Sequence, residues 1–445
     1  MENGRLDIKD AARMLDTLCI YRNLLEDPVL KSYHGLLKAL EDGAVPDRSA
    51  EAYAGFFNLL AAKTDNMNLP EYAAGRMILD ENPFTLACAG RVPQKTQDLL
   101  ACAADRDLAV LQAAVTLSPR AVKERLLAAH PSGGTCGDFI NGLPEWRADL
   151  EQVPADTAAG PVKNPLLSVK GWGGCAAELQ KFHRKNGTGC FAVNHAFTWQ
   201  SGRFVPVANP DPVRLSDLIG YETEREEVVT NTEHFLRGFA ANNVLLYGDR
   251  GTGKSSTVKA LLNEYHDRGL RMIEVSKSRL ADFSEIAGQL AVKKNQKFII
   301  FVDDLAFEDN EENYTALKAV LEGGLEAKPA NVLIYATSNR RHLIKEKFSD
   351  RAGLQYGTGD DEVRAADTMQ EKLSLSDRFG ITAVFSSPDK KRYLEIIDEL
   401  AARKGIDIDR ETLHREAMKW ELWYNGRSPR TAQQFIGWLE GSRRD

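Results

Sequence analysis

The chain has 445 residues, 43% hydrophobic and 27% charged, which is enough for two or three domains each with its own core. A net charge of −7 gives no overall attraction to nucleic acid, and no apolar run approaches the ~18 residues of a membrane span. The first ten residues hold no apolar segment and read as no secretory signal.

Six cysteines (Cys19, Cys88, Cys102, Cys136, Cys175 and Cys190) form no C-x-x-C pair. They read as reduced thiols of a cytoplasmic protein with no membrane partner, not as metal ligands.

In chain order, residues 1–130 read as successive helices. Met14, Leu18, Tyr21 and Leu25 share one face, and Tyr53, Phe56, Phe57 and Leu60 repeat the i, i+3, i+4, i+7 spacing. Leu108, Leu111 and Val115 supply another stripe, and Gly43, Pro46 and Asn82-Pro83 punctuate the helices. A mostly helical N-terminal domain is expected, with no chemistry visible in it.

Residues 131–210 read as a Gly/Pro-rich connector, with loops at Ser132-Gly133-Gly134, Pro154, Gly160-Pro161 and Gly171-Trp172-Gly173-Gly174. A short helix over Cys175–Arg184 and a strand over Cys190–Val193 are expected. Trp172 and Trp199 are expected to dock the connector onto the domain that follows.

Over 211–386 strands alternate with helices, the pattern of a parallel sheet covered by helices. The expected strands are Asn243–Tyr247, Arg271–Val275, Phe298–Val302, Val332–Ala336 and Ile381–Phe385. Three of them are continuous apolar runs, as strands buried on both faces are. From 387 to 445 the chain is helical again. Tyr393, Ile396, Ile397 and Leu400 give one apolar face and Phe435, Trp438 and Leu439 another, the makings of a small lid.

Gly248-Asp249-Arg250-Gly251-Thr252-Gly253-Lys254-Ser255 fits G-x-x-x-x-G-K-[ST]. An apolar strand precedes it, and Val258, Leu261, Leu262 and Tyr265 follow at helical spacing. Strand, glycine loop and helix together aim backbone N–H groups and the positive end of a helix at phosphate. Glycine permits the tight turn and the close approach of backbone to anion. Lys254 is placed for the β/γ-phosphates and Ser255 for Mg²⁺.

The third expected strand ends in Asp303 and Asp304, the first suited to hold Mg²⁺ through water and the second to orient or deprotonate a water. Asn339, after the fourth strand, can donate to phosphate and accept from water. It can also cap a helix at 340–345, a job Ser338 could take instead. Arg378 precedes the last strand, at the sheet edge away from its own phosphate loop. There it could serve only a neighbouring subunit, which implies a head-to-tail homo-oligomer. Ser428-Pro429-Arg430 opens a helix, and Arg430 in its first turn opposes the helix dipole, a placement that suits a phosphate. Arg427 is the alternative.

A basic strip (Arg340, Arg341, His342, Lys345, Lys347) could touch nucleic acid, although a solvated helix start is the simpler reading. The acidic stretch Gly357–Glu362 could be a partner loop or a plain surface loop.

These residues resemble the AAA+ ATPases. Gly248–Ser255 is similar to Walker A, Phe298–Asp304 to Walker B, Asn339 to sensor 1, Arg378 to the arginine finger and Arg430 to sensor 2. The resemblance implies that Leu215–Glu222 packs around adenine, with Leu218, Ile219 and Gly220 touching the base. Four strings are more specific: Tyr247–Ser256, Phe301–Leu305, Tyr335–Arg341 and Lys372–Gly380 are similar to the bacterial family called domain of unknown function 815, over about 195–440. The implied fold class is α/β, a P-loop NTPase (AAA+) parallel sheet core with a C-terminal helical lid and a mostly helical N-terminal domain.

One departure stands out. AAA+ proteins mostly end Walker B in Asp-Glu, whereas Asp303-Asp304 is one methylene, roughly 1.5 Å, shorter, and a misplacement of about 1 Å can cost on the order of 10²-fold. Glu308 could substitute, and some helicase-loader relatives also end this strand in Asp-Asp.

The expected function is hydrolysis of ATP with Mg²⁺ to remodel or load a protein or nucleic-acid partner. The alternative is an ATP-dependent binding switch that hydrolyses slowly. A small-molecule kinase is disfavoured, because neither a lid arginine cluster nor an acceptor pocket can be read.

Overall fold

The computed structural model describes residues 7–41, 46–90, 92–128, 135–150, 164–169, 171–305, 321, 329–339, 378–424 and 426–442. The basic strip, Glu308 and the acidic stretch at 357–362 lie outside the described residues. Two compact units make up the chain, Met1–Val193 and Asn194–Asp445.

The first unit is built from α1 (Ile8–Asp16), α2 (Pro28–Glu41), α3 (Pro46–Ala61), α4 (Leu69–Leu79), α5 (Pro83–Ala89), α6 (Gln94–Val115), α7 (Pro119–Ala128), α8 (Thr135–Asn141) and α9 (Ala176–Asn186). The Asn82-Pro83 punctuation is a capping box. Asn82 Oδ1 accepts from the Thr85 amide and Thr85 Oγ1 from the Asn82 amide, so both orphan donors of the helix start are satisfied. The stripe from Met14 to Leu25 is not one helix. The chain leaves α1 at Thr17, and the buried Asp107 carboxylate on α6 accepts from the amides of Cys19, Ile20 and Tyr21 at 2.8, 2.6 and 3.2 Å. A carboxylate that takes three backbone donors offsets the helical bonds the break forgoes.

Residues 131–210 are not a single connector. Trp172 is buried in the helical unit's own core, with its indole N–H donating to Leu166 O at 3.1 Å, rather than docking on the sheet domain. Cys190–Val193 is not a strand, because Gly189–Ala192 forms a 3₁₀ turn after α9 that starts at Gly189 with φ +60°. Trp199 lies in the second unit, on a strand that the sequence pattern did not reveal.

That second unit holds β1 (Ala196–Gln200), β2 (Arg203–Pro206), α10 (Glu222–Leu236), β3 (Val244–Gly248), α11 (Lys254–Tyr265), β4 (Leu270–Glu274), α12 (Phe283–Ala291), β5 (Lys297–Val302), β6 (Val332–Asn339) and β7 (Ile381–Phe385). The sheet order is β2-β1-β4-β5-β6-β3-β7, parallel except for the β1–β2 hairpin. Strands β3, β5 and β6 carry buried side chains on both faces, the reason they read as unbroken apolar runs. In β6, Thr337, Ser338 and Asn339 continue the strand, and Asn339 pairs across from Gly248.

Beyond β7, a four-residue stretch (386–389) leads to the lid of α13 (Lys390–Arg403), α14 (Arg410–Trp423) and α15 (Pro429–Gly441). Its core of Tyr393, Ile396, Ile397, Phe435 and Ile436 also takes in Ile219 from the segment before α10.

Candidate active site

The ends of β3, β5 and β6, the first turn of α11 and the first turn of α15 enclose a cavity of about 410 Å³, within the range of small-ligand sites. Gly251, Gly253, Lys254, Ser255 and Ser256 line one wall and Asp303, Asp304, Thr337 and Asn339 another. Leu218, Ile219, Arg225 and Arg430 close it. Arg250, Thr252 and Gln433 also face it.

The loop has its shape for identifiable reasons. Gly248 adopts φ +144°, and a Cβ there would stand 2.1 Å from the Phe385 carbonyl oxygen of neighbouring β7. Gly251 (φ +77°) lies under Ser428 and Arg430, and its carbonyl accepts from the Arg430 amide at 3.2 Å. Gly253 (φ +92°) delivers the chain into α11.

Lys254 Nζ donates to the carbonyls of Gly248 (3.1 Å) and Asp249 (2.6 Å) and to Asn339 Oδ1 (3.2 Å). Burial draws its amine down to about 8, against the opposing pull of Asp249, Asp304 and Asp303.

Ser255 Oγ donates to Asp303 Oδ1 at 2.6 Å, and Thr337 Oγ1 donates to the same oxygen at 2.5 Å. This is a compact all-oxygen donor set, the kind that suits a hard divalent cation such as Mg²⁺. Among the described residues no group of three or more His, Cys, Asp or Glu side chains is arranged to hold a metal ion by itself.

Asp304 is a non-glycine residue at φ +53°. Its amide donates to Thr337 Oγ1 at 2.9 Å, while Oδ1 accepts from Asn339 Nδ2 at 2.5 Å and Oδ2 faces Lys277 Nζ at 3.4 Å. With an ammonium on one side and a carboxylate on the other, the Asn339 amide has a single orientation that satisfies both neighbours. Lys277, Thr337, Arg225 and Gln433 were not foreseen. Lys277 and Thr337 meet Asp304 and Asp303 only through the pairing of the strands, whereas Arg225 bonds within its own segment, to Leu218 and Gly220.

The Leu218–Ile219 side of the cavity is shaped by Arg225, whose guanidinium donates to the carbonyls of Leu218 (3.1 Å) and Gly220. Gly220, Gly248 and Asp249, also expected at the site, are not among the residues that line the cavity. The Ser338 hydroxyl donates to Leu305 O at 2.7 Å, and the 340–345 helix start that it or Asn339 was expected to cap lies outside the described residues. Arg427 is set away from the cavity and pairs with Glu421 at 3.3 Å. Arg378 lies three residues before β7, at the end of that strand opposite Phe385, and does not line the cavity.

A parallel sheet with a glycine phosphate loop at the tip of a central strand, acidic residues at the tip of the next strand but one, and a helical lid over the cavity defines a P-loop NTPase of the AAA+ type. The family described as "protein of unknown function (DUF815)" matches residues 192–443, and the chain belongs to that family.

The chain is also similar, over part of its length, to several curated proteins and solved structures. The chain is 22% identical over 239 residues to a putative 26S proteasome regulatory subunit homologue of Methanocaldococcus jannaschii, covering 47% of this chain and 63% of that one. It is 26% identical over 211 residues to the ATP-dependent zinc metalloprotease FtsH of Helicobacter pylori, covering 40% and 31%. The chain thus spans less than two thirds of the length of either. Among solved structures, the Thermotoga maritima RuvB Holliday junction branch migration motor matches at 19% identity and a TM-score of 0.33, over 52% of this chain and 65% of that one. Among the described residues no helix is long and apolar enough to cross a membrane.

Proposed function

We propose that the Asn194–Asp445 unit binds ATP and Mg²⁺ in this cavity and hydrolyses the γ-phosphate bond, as a cytoplasmic homo-oligomer that remodels or loads a protein or nucleic-acid partner. The observation that carries the reading is the convergence of Lys254, the amides of Gly251–Ser256 and the Ser255–Asp303 pair at one end of the sheet.

Lys254 then exchanges its two carbonyl partners for phosphate oxygens, and Leu218, Ile219 and Gly220 shelve the base. Mg²⁺, held by Ser255 and Asp303, supplies positive charge against the charge that develops on the phosphoryl group. Asp304 positions the attacking water, Asn339 sits between that water and the γ-phosphate, and Arg430 brings lid charge to the phosphates. Arg378 acts on the neighbouring subunit's site. The helical N-terminal unit, outside the family match, is the partner-binding module.

A second reading, a switch that turns over rarely, is favoured by one observation: both Asp304 carboxylate oxygens already face donors, Asn339 and Lys277. Steady-state ATPase measurements on the full chain and on Asp304→Asn separate the two. The machine reading expects the variant to bind ATP while losing about 10²–10³-fold in turnover. Equal rates in both proteins would leave only the switch.

A further inference from the structure

Four residues, 386–389, join the last core strand to the lid, and their anchoring is uneven. The Asp249 amide donates to Phe385 O at 2.9 Å, and Asp249 Oδ2 accepts from the Ser387 amide at 2.8 Å. The Asp249 carbonyl meanwhile accepts from Lys254 Nζ at 2.6 Å and from Thr252 Oγ1 at 2.8 Å. One residue of the phosphate loop therefore holds the phosphate-binding lysine through its carbonyl and the lid's tether through its side chain. On the base side Tyr221 does the complementary job. Its hydroxyl donates to Ser386 O at 2.5 Å, its ring stacks on Phe385, and Arg392 of α13 lies over that ring at 4.5 Å.

We infer that Asp249 is a positioning residue that transmits the state of the phosphate loop to the lid tether. The inference rests on the nucleotide-binding reading. When Lys254 turns to phosphate the Asp249 carbonyl exchanges two donors for one, the Thr252 hydroxyl, and the Asp249 peptide reorients about that remaining bond. The same residue's side chain grips Ser387, so rotation of the peptide shifts the first residues leading into α13. A charge-assisted bond of this kind is strong enough to transmit the change. Only two residues, 388 and 389, separate it from a helix that contributes Ile396 against Gly220 and packs on Ile219.

Hydrogen exchange on the full chain, at ATP–Mg²⁺ concentrations that saturate each protein, tests this. ATP is expected to change exchange across 386–396 in the wild type. Asp249→Ala abolishes that response and makes the Ser387 amide exchange about tenfold faster or more without nucleotide. Asp249→Asn keeps an acceptor oxygen and restores the response. Ser387→Pro removes the donor while leaving the loop intact, and must lose the ATP response across 389–396 as Asp249→Ala does.

A wild-type response in Asp249→Ala would overturn the inference and leave the Gly251–Arg430 bond as the link. Loss of the response in Asp249→Asn as well would overturn its hydrogen-bond basis. If wild-type protein takes up no ATP by calorimetry, the nucleotide-binding reading itself falls, a result distinct from either.

Discussion

At Gly248 the requirement for glycine comes from a direction that the motif does not reveal. The usual reason for glycine in a phosphate loop is room for the anion. Here the space a Cβ would need is filled by the Phe385 carbonyl of β7, 2.1 Å away, in a backbone conformation that L-residues avoid. Gly248→Ala is therefore expected to cost about 2–3 kcal/mol of folding stability or more, from forced separation of β3 and β7 in addition to the strained φ. Chemical denaturation of the full chain checks it, and a loss below about 0.5 kcal/mol would contradict the contact.

The signature string made the loop legible because its glycines, lysine and serine sit at fixed offsets. The side chains at its variable positions were opaque. What Asp249 does depends on a residue 138 positions downstream, and what Asp304 touches depends on Lys277, 27 positions upstream.

Among the elements, the strands buried on both faces were legible from composition alone, and those at the far edge were not. The hairpin β1–β2 adds two strands beside β4, joined by Ser201 and Gly202 at φ +49° and +76°. A two-residue loop with both residues at positive φ is the tight turn that matches strand twist, so Ser201-Gly202 between short aromatic and β-branched runs was the available signal. The hairpin's half-exposed side chains hid it among loop-like residues.

The hairpin also carries a titrating contact. His195, just before β1, stacks on His266 at 4.6 Å, and burial first, then His266 and Arg271, lowers it to about 4. The unfolded chain takes up this proton near 6.5 and the folded one only near 4, so stability is lost as pH falls through that window. With partial exposure discounting the effect, His195→Asn is expected to reduce the fall in Tm between pH 6.5 and 4 by about 2–4 °C, the shift about 1 kcal/mol makes in a domain of this size. A pH series of thermal melts on both proteins decides it, and parallel curves would refute the contribution of the stack.

For the molecule as a whole, the family match covers the second unit and stops short of the helical one. Arg378 stands at the end of β7 opposite the strand tip that abuts the phosphate loop. If it serves a neighbour, Arg378→Ala will retain ATP binding and lose about 10³–10⁵-fold in hydrolysis. Mixing it with Asp304→Asn would then restore part of the activity, since each protein supplies what the other lacks. Calorimetry together with turnover of the mixture tests this, and a loss of ATP affinity would instead assign the arginine to its own subunit.

Ile219, which shelves one wall of the cavity, is buried at the same time among Tyr393, Ile396 and Phe435. Cutting the chain after residue 386 would therefore strip a keystone from both sides of the joint. The orphaned helices would lose an apolar plug, the severed sheet would carry a greasy stub, and each fragment would be prone to clump in solution. Recombinant work that seeks a minimal catalytic piece is best served by leaving 194–445 undivided.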